Sequence, residues 1–285
     1  MRVALVLVPY HLGHQRVGMG SGPDALVAEG LGATLEAEGH VLELVRVERP
    51  GEATNEVAAS FDVLRGVAER VRAAVAAGAF PLVLAGNCMT SIGVVGGLGH
   101  DVGVVWLDAH ADFNTAEATT SGFVDGMGLS ILTGTGWDGM RATVPGYRSV
   151  PEAHVVLVGI RDLDPAERER LDRSGITVVA PGELDAISSA LDRLRGDVSD
   201  VYLHVDLDVL DPSEGRANQY AVGGGLTAAD VGRVVGEVGQ RMRIRAASLT
   251  AYDPAADREK RIPPAAAGIA RAILAAARAD VVAAR

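Results

Sequence analysis

Cysteine is nearly absent: Cys88 is the only one in 285 residues. A lone cysteine excludes an intrachain disulfide and fits a reducing, cytoplasmic compartment. Basic residues are also scarce, 26 Lys and Arg against 37 Asp and Glu, a formal net charge of −11. That balance argues against a nucleic-acid partner, whose binding surface needs clustered Lys and Arg. No apolar run approaches the roughly 18 residues of a membrane span. The opening stretch MRVALVLVPYHLG holds one Arg and a short apolar run without a small-residue cleavage site, so it reads as a buried first strand and not as a signal peptide. What remains is a globular composition, 48% hydrophobic and 22% charged, long enough for a substantial core. With no repeat and no linker, residues 1–285 read as one domain.

Apolar runs of strand length alternate with segments of helical period. The strands are expected at Arg2–Val8, Val41–Val47, Pro81–Ala85, Val102–Leu107, His154–Gly159, Thr177–Ala180, Val201–Val205 and Arg243–Leu249. Helices are expected at Asp24–Glu38, Glu56–Ala77, from Ser91 to Leu98, Pro165–Ser174, Gly182–Leu194, Ala228–Arg241 and Ala265–Ala284, the last opened by Pro263-Pro264. The strands are continuous Val, Leu and Ile runs, as strands buried on both faces require. The alternation therefore predicts an α/β fold with a mostly parallel sheet covered on both sides. Two long connections, Asp108–Gly126 and Asp206–Leu226, are rich in Asp, Asn, Thr and Gly, and such loops are commonly functional.

Ligands of open parallel sheets bind beyond the carboxyl ends of the strands. There the sequence places Gly86-Asn87-Cys88, Asp108-Ala109-His110-Ala111-Asp112 and Asp206-Leu207-Asp208. Four carboxylates in one cleft repel one another unless a cation neutralises them. A carboxylate-rich cluster with one imidazole suits Mn²⁺ or another first-row divalent ion, and two such ions suit the charge. Each residue alone has a plainer reading: Asp as a loop cap, His110 as structural, Cys88 as a small buried apolar residue. Their coincidence after buried strands favours the metal. Trp106, inside a strand, is expected in the core, and Arg161 and Asp162 as a structural pair.

Asp108-Ala-His110-Ala-Asp112-Phe-Asn114-Thr115, followed by Thr119-Thr120-Ser121-Gly122, resembles the metal-binding loop of the arginase and agmatinase (ureohydrolase) superfamily. His204-Val-Asp206-Leu-Asp208-Val-Leu-Asp211-Pro212 is similar to the second signature of that superfamily, and Gly86–Gly93 stands where it carries Gly-Gly-Asp-His-Ser. Segments Gly159–Glu167 and Gly223–Thr227 also match. The resemblance implies a three-layer α/β/α domain with a mostly parallel eight-stranded sheet and two Mn²⁺ ions. Cys88, Asp108, Asp112 and Asp206 would bind one ion. Asp108, His110, Asp206 and Asp208 would bind the other, so that Asp108 and Asp206 bridge. A bridging hydroxide would attack a guanidinium carbon and release a urea and an amine. Asn114, Ser121 and Asp164 would contact the small guanidino-type substrate.

The departures bear on substrate choice. Cys88 replaces a histidine ligand, Asp125 stands where the superfamily has a shuttle histidine, Ala251 where it has the guanidinium-holding glutamate, and Phe123 where it has a carboxylate-contacting asparagine. The cysteine and the Asp-Phe-Asn-Thr loop resemble the branch that hydrolyses N-omega-hydroxy-L-arginine. A hydroxyguanidine is much less basic than a guanidine and needs that glutamate less. Asp125 and His14 are candidates for proton transfer, against readings as a loop cap and a solvated loop residue. His11 and Arg16 share the second ambiguity. Asp253 is a candidate to replace the lost carboxylate, with a Tyr-Asp-Pro turn the simpler alternative. Two rival functions stay open: a zinc-type amide deacetylase on the same fold, disfavoured by the lack of a tandem His pair, and a metal-binding homologue that has lost turnover.

Overall fold

A computed structural model describes residues 1–49 and 55–283, with side chains through Arg278. The strands are β1 (Arg2–Val8), β2 (Tyr10–His11), β3 (His14–Gln15), β4 (Val41–Arg46), β5 (Phe80–Ala85), β6 (Gly103–Leu107), β7 (Val155–Val158), β8 (Thr177–Val179), β9 (Asp200–Asp206) and β10 (Arg243–Thr250). The helices are α1 (Gly22–Ala28), α2 (Leu31–Ala37), α3 (Glu56–Ala76), α4 (Thr90–Leu98), α5 (Gly128–Leu132), α6 (Asp138–Arg141), α7 (Pro165–Asp172), α8 (Ile187–Asp197), α9 (Ala228–Arg241) and α10 (Ile262–Ala283). Eight strands form one parallel sheet in the order β4-β1-β5-β10-β9-β6-β7-β8. The expected strands are all present, with no end differing by more than one residue.

The strand period of two explains the layers. Val3, Leu5 and Leu7 of β1 join the core shared with α1, α2, α8, α9 and α10, while Ala4, Val6 and Val8 join the opposite core with α3, α4 and α5. Both faces are covered, hence the continuous apolar runs. Asn55 caps α3 by accepting from Ala58 N at 2.8 Å, and Asp164 and Glu167 form a reciprocal capping box on α7.

Three helical expectations change. The segment Asp24–Glu38 is two helices, α1 and α2, broken where Gly30 takes φ of 93°. The segment Gly182–Leu194 begins as a 3₁₀ turn, Pro181–Ala186, because Glu183 leaves helical geometry before α8 starts. The last helix starts at Ile262 with both prolines in its first turn, where their missing N–H groups cost nothing; its expected end at Ala284 lies outside the described residues. The hairpin β2–β3 and the short α5 and α6 carry too little periodicity to announce themselves. No helix among the described residues is long and apolar enough to cross a membrane.

Candidate metal centre and active site

The carboxyl ends of β5, β6, β9 and β10 converge on one cavity of about 490 Å³. Cys88, His110, Asp112, Asn114, Ser121, Asp125, Asp164, Asp206 and Asp208 line it. Asp108 lies beside them, buried, its Oδ1 3.3 Å from His110 Nδ1, and that same nitrogen is 3.5 Å from Asp208 Oδ2. The Cys88 thiol donates to Asp206 Oδ2 at 2.9 Å. One donor atom each from Asp108, His110 and Asp208 falls within 4.8 Å of the others, and a second such triad joins Cys88, Asp108 and His204. Asp108 belongs to both. Asp112 and Asp206 share the cavity but complete neither triad.

The backbone holds these groups in place. Asp206 Oδ1 accepts from Asp208 N at 2.7 Å, which turns the chain directly after β9. Asp208 is fixed by Ala109 N and by the Asn218 amide at 3.0 Å. Trp106 is in the core, as expected, yet its Nε1–H donates to Asp108 Oδ2 at 2.9 Å. Arg161 does not pair with Asp162 as the sequence suggested. Its guanidinium donates to the carbonyls of Gly159, Asp208, Val209, Leu210 and Val222, bracing the turn that carries Asp208.

Electrostatically the cavity is starved of positive charge: among the described residues no Lys or Arg lines it. Burial and the neighbouring Asp208 push Asp108 up to about 6. Burial and the other carboxylates hold Asp112 and Asp206 well above the usual range. Burial, then Asp206, raises the Cys88 thiol well above its ordinary value. Burial opposes the charged form of His110, but Asp108 and Asp208 outweigh it and raise the ring to about 9. Buried His204 goes the other way, down to about 3, by desolvation alone. A crowd of buried acids that resist ionisation, with a thiol and an imidazole among them, is what divalent cations relieve, so the donor set fits a pair of such ions.

Three residues that the sequence offered as candidates are not brought in. His14 is an exposed residue of the β2–β3 hairpin, 3.7 Å from Glu56, and does not line the cavity. Asp253 does not line it either: its Oδ1 accepts from Ala255 N at 3.0 Å, the turn role that a Tyr-Asp-Pro sequence suggests. Arg16 is turned away onto Asp24 at 2.8 Å. Asp125 is in place, but its oxygens accept from Asn87 Nδ2, Cys88 N and Met89 N at 2.6, 3.3 and 2.9 Å. It ties down the turn that carries Cys88, and a carboxylate so engaged is poorly free to ferry protons. Sequence reasoning missed His204, Thr250 and Asn218. The signal for the first two was the run of polar residues at alternate positions, Tyr202, His204 and Asp206 on β9 and Ser248 and Thr250 on β10, within otherwise apolar strands.

This fold and site are those of a metal-dependent hydrolase class, and comparison with known proteins says which. The Arginase family model matches residues 1–276. An arginase of Brevibacillus brevis is 34% identical over 246 residues, 79% of this chain and 81% of that protein. One of Bacillus caldovelox is 30% identical over 275 residues, 90% of this chain and 92% of the other. The crystal structure of the Bacillus caldovelox enzyme superposes with a TM-score of 0.86 at 28% identity, covering 95% of this chain and 97% of that one. The chain belongs to the arginase family, whose members hydrolyse C–N bonds of amidines.

Proposed function

We propose that this chain hydrolyses the C–N bond of an N-hydroxyguanidino compound, releasing hydroxyurea and an amine, with two Mn²⁺ ions and in a reducing cytoplasm. The observation that carries the reading is the joint presence of a thiol donor, Cys88, and a small apolar wall, Ala251, in one cavity. A strongly basic guanidinium would meet no carboxylate at Ala251, forgoing a charge-assisted contact worth about 2–4 kcal/mol. A hydroxyguanidine, being much less basic, loses less. Cys88, Asp108, Asp112 and Asp206 are the residues to hold one ion, and Asp108, His110, Asp206 and Asp208 the other. When bound, the ions supply the Lewis acidity that makes water a nucleophile near neutral pH.

The chain's own residues then divide the work. Asn218 and Arg161 keep the Asp208 turn from moving, and Trp106 fixes the Asp108 carboxylate. Asn114 and Thr120 both donate to Asp164, which presents a carboxylate at the mouth for the substrate's amino group. Ser121, beside Phe123, offers a hydroxyl to the substrate's other end.

The test is a screen of Mn²⁺-loaded protein against arginine, N-omega-hydroxyarginine, agmatine, guanidinobutyrate and formiminoglutamate. Preferential hydroxyurea release is expected. Preference for arginine would overturn the hydroxyguanidine reading, and no turnover of any of the five would leave a metal-binding homologue.

A further inference from the structure

We infer that Thr250 is a positioning residue for Cys88, held by a buried chain of side chains that runs from Tyr202 and Ser248 through His204. The inference rests on the proposed ligation by Cys88. Thr250 Oγ1 lies 3.2 Å from Cys88 Sγ and 3.3 Å from His204 Nε2. His204 Nδ1 lies 2.9 Å from Tyr202 Oη and 3.1 Å from Ser248 Oγ, and those two hydroxyls are in contact with each other. The register of β9 and β10 sets Ser248 beside His204 and Thr250 beside Asp206. Tyr202, His204 and Ser248 are fully buried, and Thr250 and Cys88 nearly so.

Four polar side chains in the middle of a sheet are costly unless each finds a partner. Here every one does, and the chain ends on a sulfur that lines the cavity. The directions of the hydrogen bonds follow from the donors present. A neutral imidazole has one donor and one acceptor. A ligating sulfur carries no hydrogen and only accepts. The bond to sulfur therefore uses the Thr250 O–H, for which the Val205 carbonyl at 3.5 Å is a second, longer acceptor than Cys88 Sγ at 3.2 Å. Thr250 Oγ1 is left to accept from His204 Nε2–H, and His204 Nδ1 to accept from a Tyr202 or Ser248 hydroxyl. All the donors point the same way, toward Cys88. Such outer partners orient a ligand and raise its affinity for metal.

His204 is itself near enough to Cys88 and Asp108 to be mistaken for a ligand. Its ring, however, lies flat on Trp106, 3.7 Å between centroids at 19°, with both nitrogens turned to hydroxyls of its own sheet. The ring supports Thr250; it does not reach for the ion.

The experiment uses the full chain loaded with Co²⁺, reading the near-ultraviolet thiolate-to-cobalt absorption and the affinity of each site by chelator competition. Thr250→Val and Thr250→Ala remove the hydroxyl, and Thr250→Ser keeps it. The wild type should hold two ions and show the thiolate band. The Val or Ala variant, whichever folds, should bind one of the two ions about 10–100-fold more weakly with an altered band, and the Ser variant should restore both. Affinities and band unchanged without the hydroxyl would overturn the inference. So would tighter binding, which would make the released His204 a ligand. A wild type that binds two ions with no thiolate band removes Cys88 from the metal and overturns the underlying reading as well.

Discussion

Filling the centre with Mn²⁺ should expel protons, and His110 sets a lower bound on the number. In the metal-free protein the ring is raised to about 9, because Asp108 and Asp208 outweigh the cost of its burial. At pH 7.5 it is therefore almost wholly imidazolium, and it must lose that proton before a ring nitrogen can donate to an ion. The gap between pH 7.5 and about 9 is worth about 2 kcal/mol, which makes binding roughly 30-fold weaker at pH 7.5 than well above pH 9. The sign follows from linkage. A histidine raised in the folded state stabilises the metal-free fold fully below its ordinary value of about 6.5, and loses that contribution as pH rises through about 9. Asp108, raised to about 6 by burial and Asp208, acts in the same sense at lower pH. Stabilisation by a fixed concentration of Mn²⁺ should thus grow from pH 6 to pH 9. Titration calorimetry at pH 7.5 in two buffers of different ionisation enthalpy counts the protons, and His110→Asn should release about one fewer than wild type. Equal proton release by the two proteins, or affinity that stays flat from pH 6.5 to 9, would refute the reasoning.

Asp125→Asn replaces two accepting oxygens by one and sets an amide N–H against the donors of Asn87, Cys88 and Met89; a loss of about 1–3 kcal/mol in denaturant unfolding is expected, and unchanged stability would count against the anchoring role. Trp106→Phe keeps a ring against His204 but takes the N–H from buried Asp108; metal-free protein should lose about 1–3 kcal/mol, and an unaltered thermal midpoint would contradict it. Ala251→Glu should lower KM for arginine by roughly 30-fold, the yield of about 2 kcal/mol from one charge-assisted contact, and a constant KM would show that the position does not face the guanidino group. His14→Ala, at an exposed hairpin site, should leave turnover unchanged and stability within about 0.5 kcal/mol; a marked fall in turnover would return His14 to the reaction.

The sheet was readable because strands buried on both faces leave a continuous apolar signature, and the acids were readable because they follow those strands directly. Helix breaks were not, since Gly30 and Glu183 interrupt segments whose apolar spacing runs on across them. Cys88, Asp108, His110, Asp206 and Asp208 could be placed together because each is adjacent in sequence to a strand end. His14 and Asp253 could not be excluded by sequence, because which way a loop side chain turns depends on partners such as Glu56 and Ala255. His204 sits inside the second signature, where nothing in the sequence gives it a task. Its partners Ser248 and Thr250 lie more than 40 residues on, and only the pairing of β9 with β10 reveals them.

That pairing has a consequence for how the molecule is made. β10 lies between β5 and β9, although it is the last of the sheet's strands to leave the ribosome. A nascent chain that has not yet delivered Arg243–Thr250 holds Cys88 and Asp206 on separate half-sheets, each with an open edge of unpaired backbone groups. The donors of Cys88 and Asp206 are not gathered at that stage, so the ion that Cys88 would hold waits for closure of the sheet, whereas Asp108, His110, Asp206 and Asp208, proposed for the other ion, all follow the directly paired β6 and β9. Until the insertion of β10, the two open edges are the segment of the synthesis most exposed to aggregation, and a chaperone that shields strand edges would act there.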